Sequence, residues 1–193
     1  ENSRWLSIVP LLRAHSGILT NWLETIALGQ RLQAPAMVVR REVYERLGGF
    51  DQSLGSYAED WEMWVRIAAR YPVWYEVEPL AVYRIRTGSL TGQSLRNGEN
   101  GCDYRKAINI NRKYLPAERA KEISQKARQN FALACLRRAH RLFGAGERRA
   151  ALVQLREALI SRWTMKVFFG SILLCALWSA HAVGLGHFTS TRE

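Results

Sequence analysis

Two adjacent carboxylates, Glu59 and Asp60, stand where the sequence predicts that a loop ends and a helix begins. The free amide groups and the positive dipole end of a helix N-terminus stabilise negative charge. A carboxylate at the rim of a pocket can instead act as a general base, taking the proton from an attacking hydroxyl. From the pair alone, a role at the helix terminus is the simpler interpretation, because acidic first turns are common. Catalysis is the alternative, and the surrounding pattern has to decide between them.

Aromatic and basic side chains that could contact a ligand lie in and after the predicted helix. Trp61 and Trp64 are candidates for stacking on a ring of a ligand, although Trp61 lies on an apolar helix face, where core packing is an equal alternative. Arg84 and Arg86 alternate near the end of a predicted strand, and forked guanidinium donors suit phosphate oxygens. These two arginines could also be the solvent-facing side of an edge strand.

Short helices and strands are predicted around these residues. Helices are expected over 18–30, 41–47 and 59–70, the second ending at Gly48-Gly49 and the third carrying a Glu62–Arg66 ion pair. A buried strand is expected over 36–40, and two further strands over 73–77 and 80–85. The polar, glycine-containing residues 87–94 are expected to form a mobile loop.

The second half of the chain is predicted to be almost wholly helical, over 101–114, 117–143, 147–163 and 165–184. Small and large apolar residues on both sides of Gly144-Ala145-Gly146 resemble a single tetratricopeptide-type hairpin. The apolar stretch 167–186 is long enough to cross a bilayer, but it contains serines, a histidine and glycines. Spanning a membrane, lying on its surface and packing against the other helices are the three alternatives.

The excess of positive over negative charge lies entirely in the second half of the chain. Residues 1–101 carry 11 basic and 11 acidic side chains, whereas residues 102–193 carry 17 and 6, which accounts for the net charge of +11. This division predicts two domains, 1–97 and a basic module over 98–193. An anionic membrane surface is a candidate partner for the basic module. No specific nucleic-acid binding is expected, because the sequence has no zinc spacing, basic zipper or RNA-binding aromatic motif.

The three cysteines, Cys102, Cys135 and Cys175, are odd in number and widely spaced, as in proteins of a reducing compartment. We therefore expect a cytoplasmic protein. Peripheral attachment at the inner face of the membrane is the alternative location.

Several motifs follow one another between Ala34 and Thr91. The first segment, APAMVVRREVYERLGGFDQSL, contains a predicted strand ending in two arginines and a Gly-Gly-Phe-Asp turn. The second, EDWEMWVRIAARYPVWYEVEPLAVYRIRTGSLT, contains a Glu-Asp helix start and a Tyr-Arg strand before a loop. In this order they resemble the C-terminal, acceptor-side half of the GT-A catalytic domain of glycosyltransferase family 2. The resemblance continues loosely to about residue 160.

The resemblance implies an α/β fold, with a partial GT-A domain over 1–97 followed by the α-helical module. It implies inverting transfer of a sugar from a nucleotide-sugar donor to a hydroxyl of a glycan or lipid-linked acceptor, in cell-surface glycan or polysaccharide synthesis. The implied site residues are Asp60 as catalytic base, Glu59, Trp61, Trp64 and Gly49 at the acceptor, and Arg84 and Arg86 at the donor diphosphate. Many relatives have a histidine where Arg86 stands, which puts metal contact from this position in doubt.

The donor half of such an enzyme is not evident in the sequence. The three aspartates, Asp51, Asp60 and Asp103, form no Asp-x-Asp motif, and no parallel-strand units precede the matching segment. We therefore expect a truncated enzyme that is not competent alone, with Mn²⁺ or Mg²⁺ implied for the full-length enzyme and no metal ligand in this chain. The alternative is a non-enzymatic protein, either a helical interaction partner or a membrane-surface adaptor.

Overall fold

The computed structural model describes residues 11–55, 57–83, 86 and 88–182, and over these residues the fold is mostly helical. The α-helices are α1 Trp22–Ala27, α2 Arg41–Leu47, α3 Glu59–Ala68, α4 Leu90–Asn97, α5 Glu99–Asn111, α6 Ala117–Gly144, α7 Arg148–Ser161 and α8 Met165–Ala182. Strands β1 Gly17–Ile18 and β2 Trp74–Tyr75 form one antiparallel pair, with Gly17 opposite Tyr75. Short 3₁₀ turns cover Ala34–Ala36 and Arg112–Tyr114. This architecture is compatible with a partial α/β domain followed by a helical module.

Each predicted helix is present, but several differ in length. Helix α3 ends at Ala68, α5 begins at Glu99 and is followed by the 3₁₀ turn Arg112–Tyr114, and α7 ends at Ser161. Residues 183–184 of the last predicted helix lie outside the described residues. Helix α2 ends as expected, with Gly48 and Gly49 at φ 85° and 70°, a conformation that glycine adopts without a steric penalty. Helices α6 and α7 form the predicted hairpin around Gly146. Helix α1 is shorter than 18–30, because Ile18 is extended in β1 and Asn21 takes a left-handed φ of 53° immediately before the helix.

Two predicted strands are wrong in the described part of the chain. Ala36 ends a 3₁₀ turn that contains Pro35, and the segment from there to Arg40 pairs with no strand among the described residues. Val38 is 100% exposed, and Met37 and Val39 are only partly buried against the core. Residues 80–83 are exposed and unpaired, and the predicted strand over 73–77 is reduced to the two residues of β2. Alternation of apolar and polar residues does not form a strand unless another backbone segment completes the hydrogen-bond ladder.

The expected mobile loop over 87–94 is also wrong where it is described, because α4 begins at Leu90. The Ser89 side chain accepts a hydrogen bond from the amide of Gly92 at 3.1 Å, which caps the helix. Gly98, at φ 87°, ends it. Helix α4 then packs on α5 and α7, and this packing stabilises a sequence with little helix propensity of its own.

A column of three aromatic rings connects α3 to the second half of the chain. Trp61 of α3 stacks on Tyr104 of α5 at a centroid distance of 4.3 Å, and Tyr104 stacks on Phe131 of α6 at 4.2 Å. All three residues are buried in one hydrophobic core that extends across the predicted domain boundary at residue 97. Helix α5 therefore fixes the position of α3, whose first turn carries Glu59 and Asp60.

Helix α8 covers the hairpin with one side only. Val167, Ser171 and Leu174 are buried against α6 and α7, whereas Phe169 and Leu173 are exposed. Within the described residues, no helix combines the length and apolarity needed to cross a membrane.

Candidate active site

Asp60 lies in the first turn of α3 and is half-buried. Its Oδ1 atom accepts a hydrogen bond from the backbone amide of Trp61 at 2.7 Å. The side-chain nitrogen of Gln30 lies 2.9 Å from Oδ1 and 2.8 Å from Oδ2. Ala58, the residue before the helix, has a left-handed φ of 72°, which is uncommon and unfavourable for a residue with a Cβ atom. The carboxylate is thus held by two fixed donors at a strained turn.

Burial, and after it the neighbouring charge of Glu59, raise the pKa of Asp60 from its ordinary value to about 6. The amides of Trp61 and Asp60 and the side chain of Gln30 act in the opposite direction, because they donate to the ionised form. A carboxyl group with a pKa near 6 is mostly ionised at neutral pH and is a stronger proton acceptor than an ordinary aspartate. Such a value suits a general base.

Glu59, the other member of the pair, is half-buried and has one oxygen without a partner. Its Oε2 atom is buried and accepts no hydrogen bond from any side chain or backbone group in the described part of the chain. Buried carboxylate oxygens without a donor are uncommon, and each calls for an explanation such as a ligand. This oxygen is available to a hydroxyl group that reaches the first turn of α3.

Gln30 was not among the residues predicted from the sequence. Its backbone amide donates to the hydroxyl of Tyr104 at 3.2 Å, which ties the segment after α1 to α5. Its side chain is thereby directed to Asp60. Since Gln30 is separated from Asp60 by 30 residues and from Tyr104 by 74, no local motif in the sequence could have identified this role.

The two predicted stacking residues, Trp61 and Trp64, lie in the core. Trp61 is 0% exposed, stacks on Tyr104 and donates from Nε1 to the carbonyl of Ile26 at 2.7 Å. Trp64 is 2% exposed and meets the ring of Phe50 edge-on at 6.2 Å. This arrangement favours core packing for both indoles, which leaves acceptor contact by either ring a prediction.

Gly49 is joined to α3 through Arg66. One guanidinium nitrogen of Arg66 donates to the carbonyl of Gly49 at 2.6 Å and to Glu62 at 2.8 Å, and the other donates to the carbonyl of Leu47 at 2.6 Å. The predicted Glu62–Arg66 pair is confirmed, and it also fixes the turn after α2 against α3. Contact of Gly49 with an acceptor stays a prediction.

The predicted diphosphate residues are only partly described. Arg84 lies outside the described residues, and Arg86 is exposed in the segment before α4. No three histidine, cysteine, aspartate or glutamate side chains come together in the part of the chain that the structure covers. Glu62, the third carboxylate of α3, is already paired with Arg66. The side chains described do not fit a divalent cation.

Comparison with known proteins gives a match to a family. A family model described as glycosyltransferase like family 2 matches residues 18–115, just over half of the 193-residue chain. The matched segment contains Gln30, Glu59, Asp60 and Tyr104, and the resemblance predicted from the sequence is confirmed at the level of this family. The chain matches no curated protein and no solved structure.

Proposed function

The chain belongs to glycosyltransferase-like family 2, and we propose that it forms the acceptor side of an inverting sugar transfer with Asp60 as the general base. One observation carries this proposal. The half-buried carboxylate of Asp60 is held by Gln30, and its pKa is raised to about 6. Residues that only complement a helix dipole do not need a pKa close to neutral pH.

The proposed reaction is a single displacement at the anomeric carbon of the donor sugar. Asp60 takes the proton from the acceptor hydroxyl as the hydroxyl oxygen forms its bond to the anomeric carbon. The bond from that carbon to the diphosphate oxygen breaks, and its electron pair leaves with the nucleoside diphosphate. Attack from the face opposite the leaving group inverts the configuration of the sugar.

Glu59 is proposed to orient the acceptor, a glycan or a lipid-linked sugar. Its buried Oε2 lacks a donor among the described groups, and a second hydroxyl of the acceptor can supply one. Its charge also raises the pKa of Asp60, so Glu59 affects the base as well as the acceptor. Gly49 and the turn after α2 are the neighbouring candidates for the acceptor side.

The donor diphosphate is assigned in this proposal to Arg84 and Arg86, because guanidinium groups match phosphate oxygens in geometry and charge. The nucleotide-sugar pocket and the ligands of Mn²⁺ or Mg²⁺ are proposed to lie in the complete enzyme rather than in this chain alone.

The test is a transfer assay on the complete open reading frame that contains this chain, with a panel of nucleotide sugars. Asp60→Asn keeps the size of the side chain and can keep its hydrogen bonds, but it removes the proton acceptor. We expect turnover to fall by about 10²–10⁴-fold, the usual contribution of a positioned general base, while donor affinity is unchanged. Glu59→Gln is the control and should lose less. Near-normal turnover in Asp60→Asn would show that the base lies elsewhere.

A second candidate function, attachment to a membrane surface, is favoured by the exposed sides of α7 and α8. On α8, Phe169, Ile172, Leu173 and Leu177 are all exposed. A continuous apolar face of this kind on a helix indicates an interaction surface.

The exposed charges on α7, which packs against α8, are positive. Arg149 and Arg156 are exposed on α7 and alternate with the exposed Leu152 and Ile160. Glu157, the one acidic residue within 148–182, is buried and paired with Arg105. Apolar side chains interspersed with arginines, and no exposed acid, complement a bilayer of anionic lipids. A second copy of the chain would bring like charges together.

Vesicle flotation tests this second function. We expect the chain to float with vesicles that contain phosphatidylserine and to remain behind with phosphatidylcholine alone. Phe169→Ser/Leu173→Ser should abolish flotation, whereas Leu80→Ser, an exposed leucine of the first half, should retain it. Equal flotation of all variants, or dimerisation that Phe169→Ser/Leu173→Ser removes, would contradict membrane attachment.

A further inference from the structure

Three arginines from three helices come together on the side of α5 that faces α6 and α7. Arg105 of α5 forms an ion pair with Glu157 of α7 at 2.5 Å and also donates to Ser161 at 3.3 Å. Arg162 immediately follows Ser161 at the end of α7. Arg105 and the end of α7 are therefore neighbours.

Arg128 is the third arginine, and its bond connects α6 to α5. Arg128 of α6 donates to Asn109 of α5, one helical turn after Arg105, at 2.8 Å. Arg162 donates to Gln125 of α6, three residues before Arg128, at 3.4 Å. Arg105 of α5 thus bonds to α7, Arg162 at the end of α7 bonds to α6, and Arg128 of α6 bonds to α5. We call Arg105, Arg128 and Arg162 the arginine ring.

The positive charge of the arginine ring exceeds the negative charge of the side chains that bond to it. Among the described residues, Glu157 is the carboxylate that pairs with it, against three guanidinium groups. Arg128 and Arg162 contact neutral amide side chains, and the Nε of Arg162 is buried without an acceptor in the described structure. Burial lowers the pKa of Arg128 from its ordinary value, and the charges of Arg105 and Arg162 lower it further. Positive groups gathered and partly desolvated in this way destabilise the fold unless an anion is bound.

We propose that the arginine ring is a binding site for a phosphate group carried by a ligand. Guanidinium groups from three directions match the several oxygens of a tetrahedral phosphate, and each can donate two parallel hydrogen bonds. The unpartnered Nε–H of Arg162 supplies a further donor. The phosphate can belong to free phosphate, to a nucleoside diphosphate or to a lipid headgroup. The site is separate from Asp60, which lies on α3 near α1.

Calorimetric titration with inorganic phosphate, at ionic strength matched with potassium chloride, tests the proposal on the full chain. We expect saturable binding and a rise in Tm with phosphate that chloride does not produce. Arg128→Gln should weaken phosphate binding by at least about tenfold, the effect of losing one charge-assisted hydrogen bond. Its Tm without phosphate should equal or exceed that of the unmodified chain, because a repelling charge is removed. This result separates a lost site from a misfolded variant.

Further variants complete the design. Arg162→Gln should repeat the loss of binding, and Arg137→Gln, at an exposed position of α6, should bind phosphate normally. Asp60→Asn should also bind phosphate normally, so the test of this site is independent of the test of the proposed catalysis. Uridine diphosphate and vesicles containing phosphatidic acid, tested in the same variants, identify the source of the phosphate. The proposal would be overturned by phosphate binding no stronger than chloride binding. It would also be overturned if Arg128→Gln and Arg162→Gln bound phosphate as tightly as the unmodified chain.

Discussion

Gln30 holds both carboxylate oxygens of Asp60 with a single side-chain nitrogen, at 2.9 and 2.8 Å. Burial of Asp60 favours its neutral form, whereas the Gln30 amide favours its ionised form. The charge of Glu59 acts in the same direction as burial, the backbone amides of Trp61 and Asp60 act in the same direction as Gln30, and the resulting pKa is about 6. Gln30 therefore affects both the pKa of Asp60 and the orientation of its carboxylate.

Removing this amide should change the pH dependence of catalysis. In Gln30→Ala, Asp60 loses a donor to its ionised form, so its pKa should rise above that of the unmodified enzyme. The acidic limb of the kcat/KM profile should then move to higher pH by about one unit, the scale of a hydrogen bond to a charged group. Gln33→Ala, at an exposed neighbouring glutamine, is the control. A limb that does not move in Gln30→Ala would show that Asp60 is not the group that titrates.

The same carboxylate should make stability depend on pH. A pKa of about 6 in the folded state, above the ordinary 3.8, means that folding favours protonated Asp60. Its stabilising contribution is complete below about pH 4 and is lost as pH rises through about 6. Asp60→Asn does not ionise, so its stability relative to the unmodified chain should increase between pH 4 and pH 7. Urea denaturation at intervals across this range measures the difference, and a constant difference would contradict the raised pKa.

Arg66 is expected to be critical for stability. Its partner Glu62 is 1% exposed, and burial raises the pKa of Glu62 while Arg66 lowers it. Arg66→Gln leaves that carboxyl without its cation and should reduce the free energy of unfolding at pH 7 by about 3–5 kcal/mol. Arg46→Gln breaks the exposed Arg46–Glu42 pair of α2, and its cost should be no more than about 1 kcal/mol. Similar losses in the two variants would mean that burial of the Glu62–Arg66 pair has no energetic effect.

Two glycines of the helical region should respond oppositely to alanine. A Cβ atom on Gly101 would lie 1.7 Å from Oε2 of Glu157, so the Arg105–Glu157 pair would have to move. Gly101→Ala should therefore lower stability by about 1–3 kcal/mol, the usual cost of overpacking. A Cβ atom on Gly144 meets nothing within 4 Å, and Gly144→Ala should be neutral or stabilise the end of α6. Thermal unfolding of the two variants side by side checks the difference.

Periodic patterns predicted the helices well. Helix α3 was expected with its acidic first turn and its Glu62–Arg66 pair, and the α6–α7 hairpin was expected from small residues near Gly146. Strands were predicted poorly, because a strand depends on a partner that can lie anywhere in the chain. The exposed Val38 shows this dependence. Helix α4, which begins at the Ser89 cap where a loop was expected, depends in a similar way on its packing against α5 and α7.

The candidate site shows the same division between local and long-range information. Glu59 and Asp60 were recognised as a pair because they are adjacent and begin a helix. Gln30 and Tyr104 could not be recognised, because they reach the site only through the fold. For Trp61 the sequence left core packing and ligand stacking as equal alternatives. It could not show that the rings of Tyr104 and Phe131 continue the stack from Trp61.

The column of Trp61, Tyr104 and Phe131 limits how far this chain can be shortened without losing the position of Asp60. The family match ends at residue 115, but Phe131, whose ring covers Tyr104, lies 16 residues further on. Expression of residues 18–115 alone would leave one face of Tyr104 in water and remove the α6 residues that complete the core around Trp61. The shortest segment able to hold Asp60 in its present position therefore extends into α6. The boundary of sequence similarity and the boundary of independent folding do not coincide in this protein.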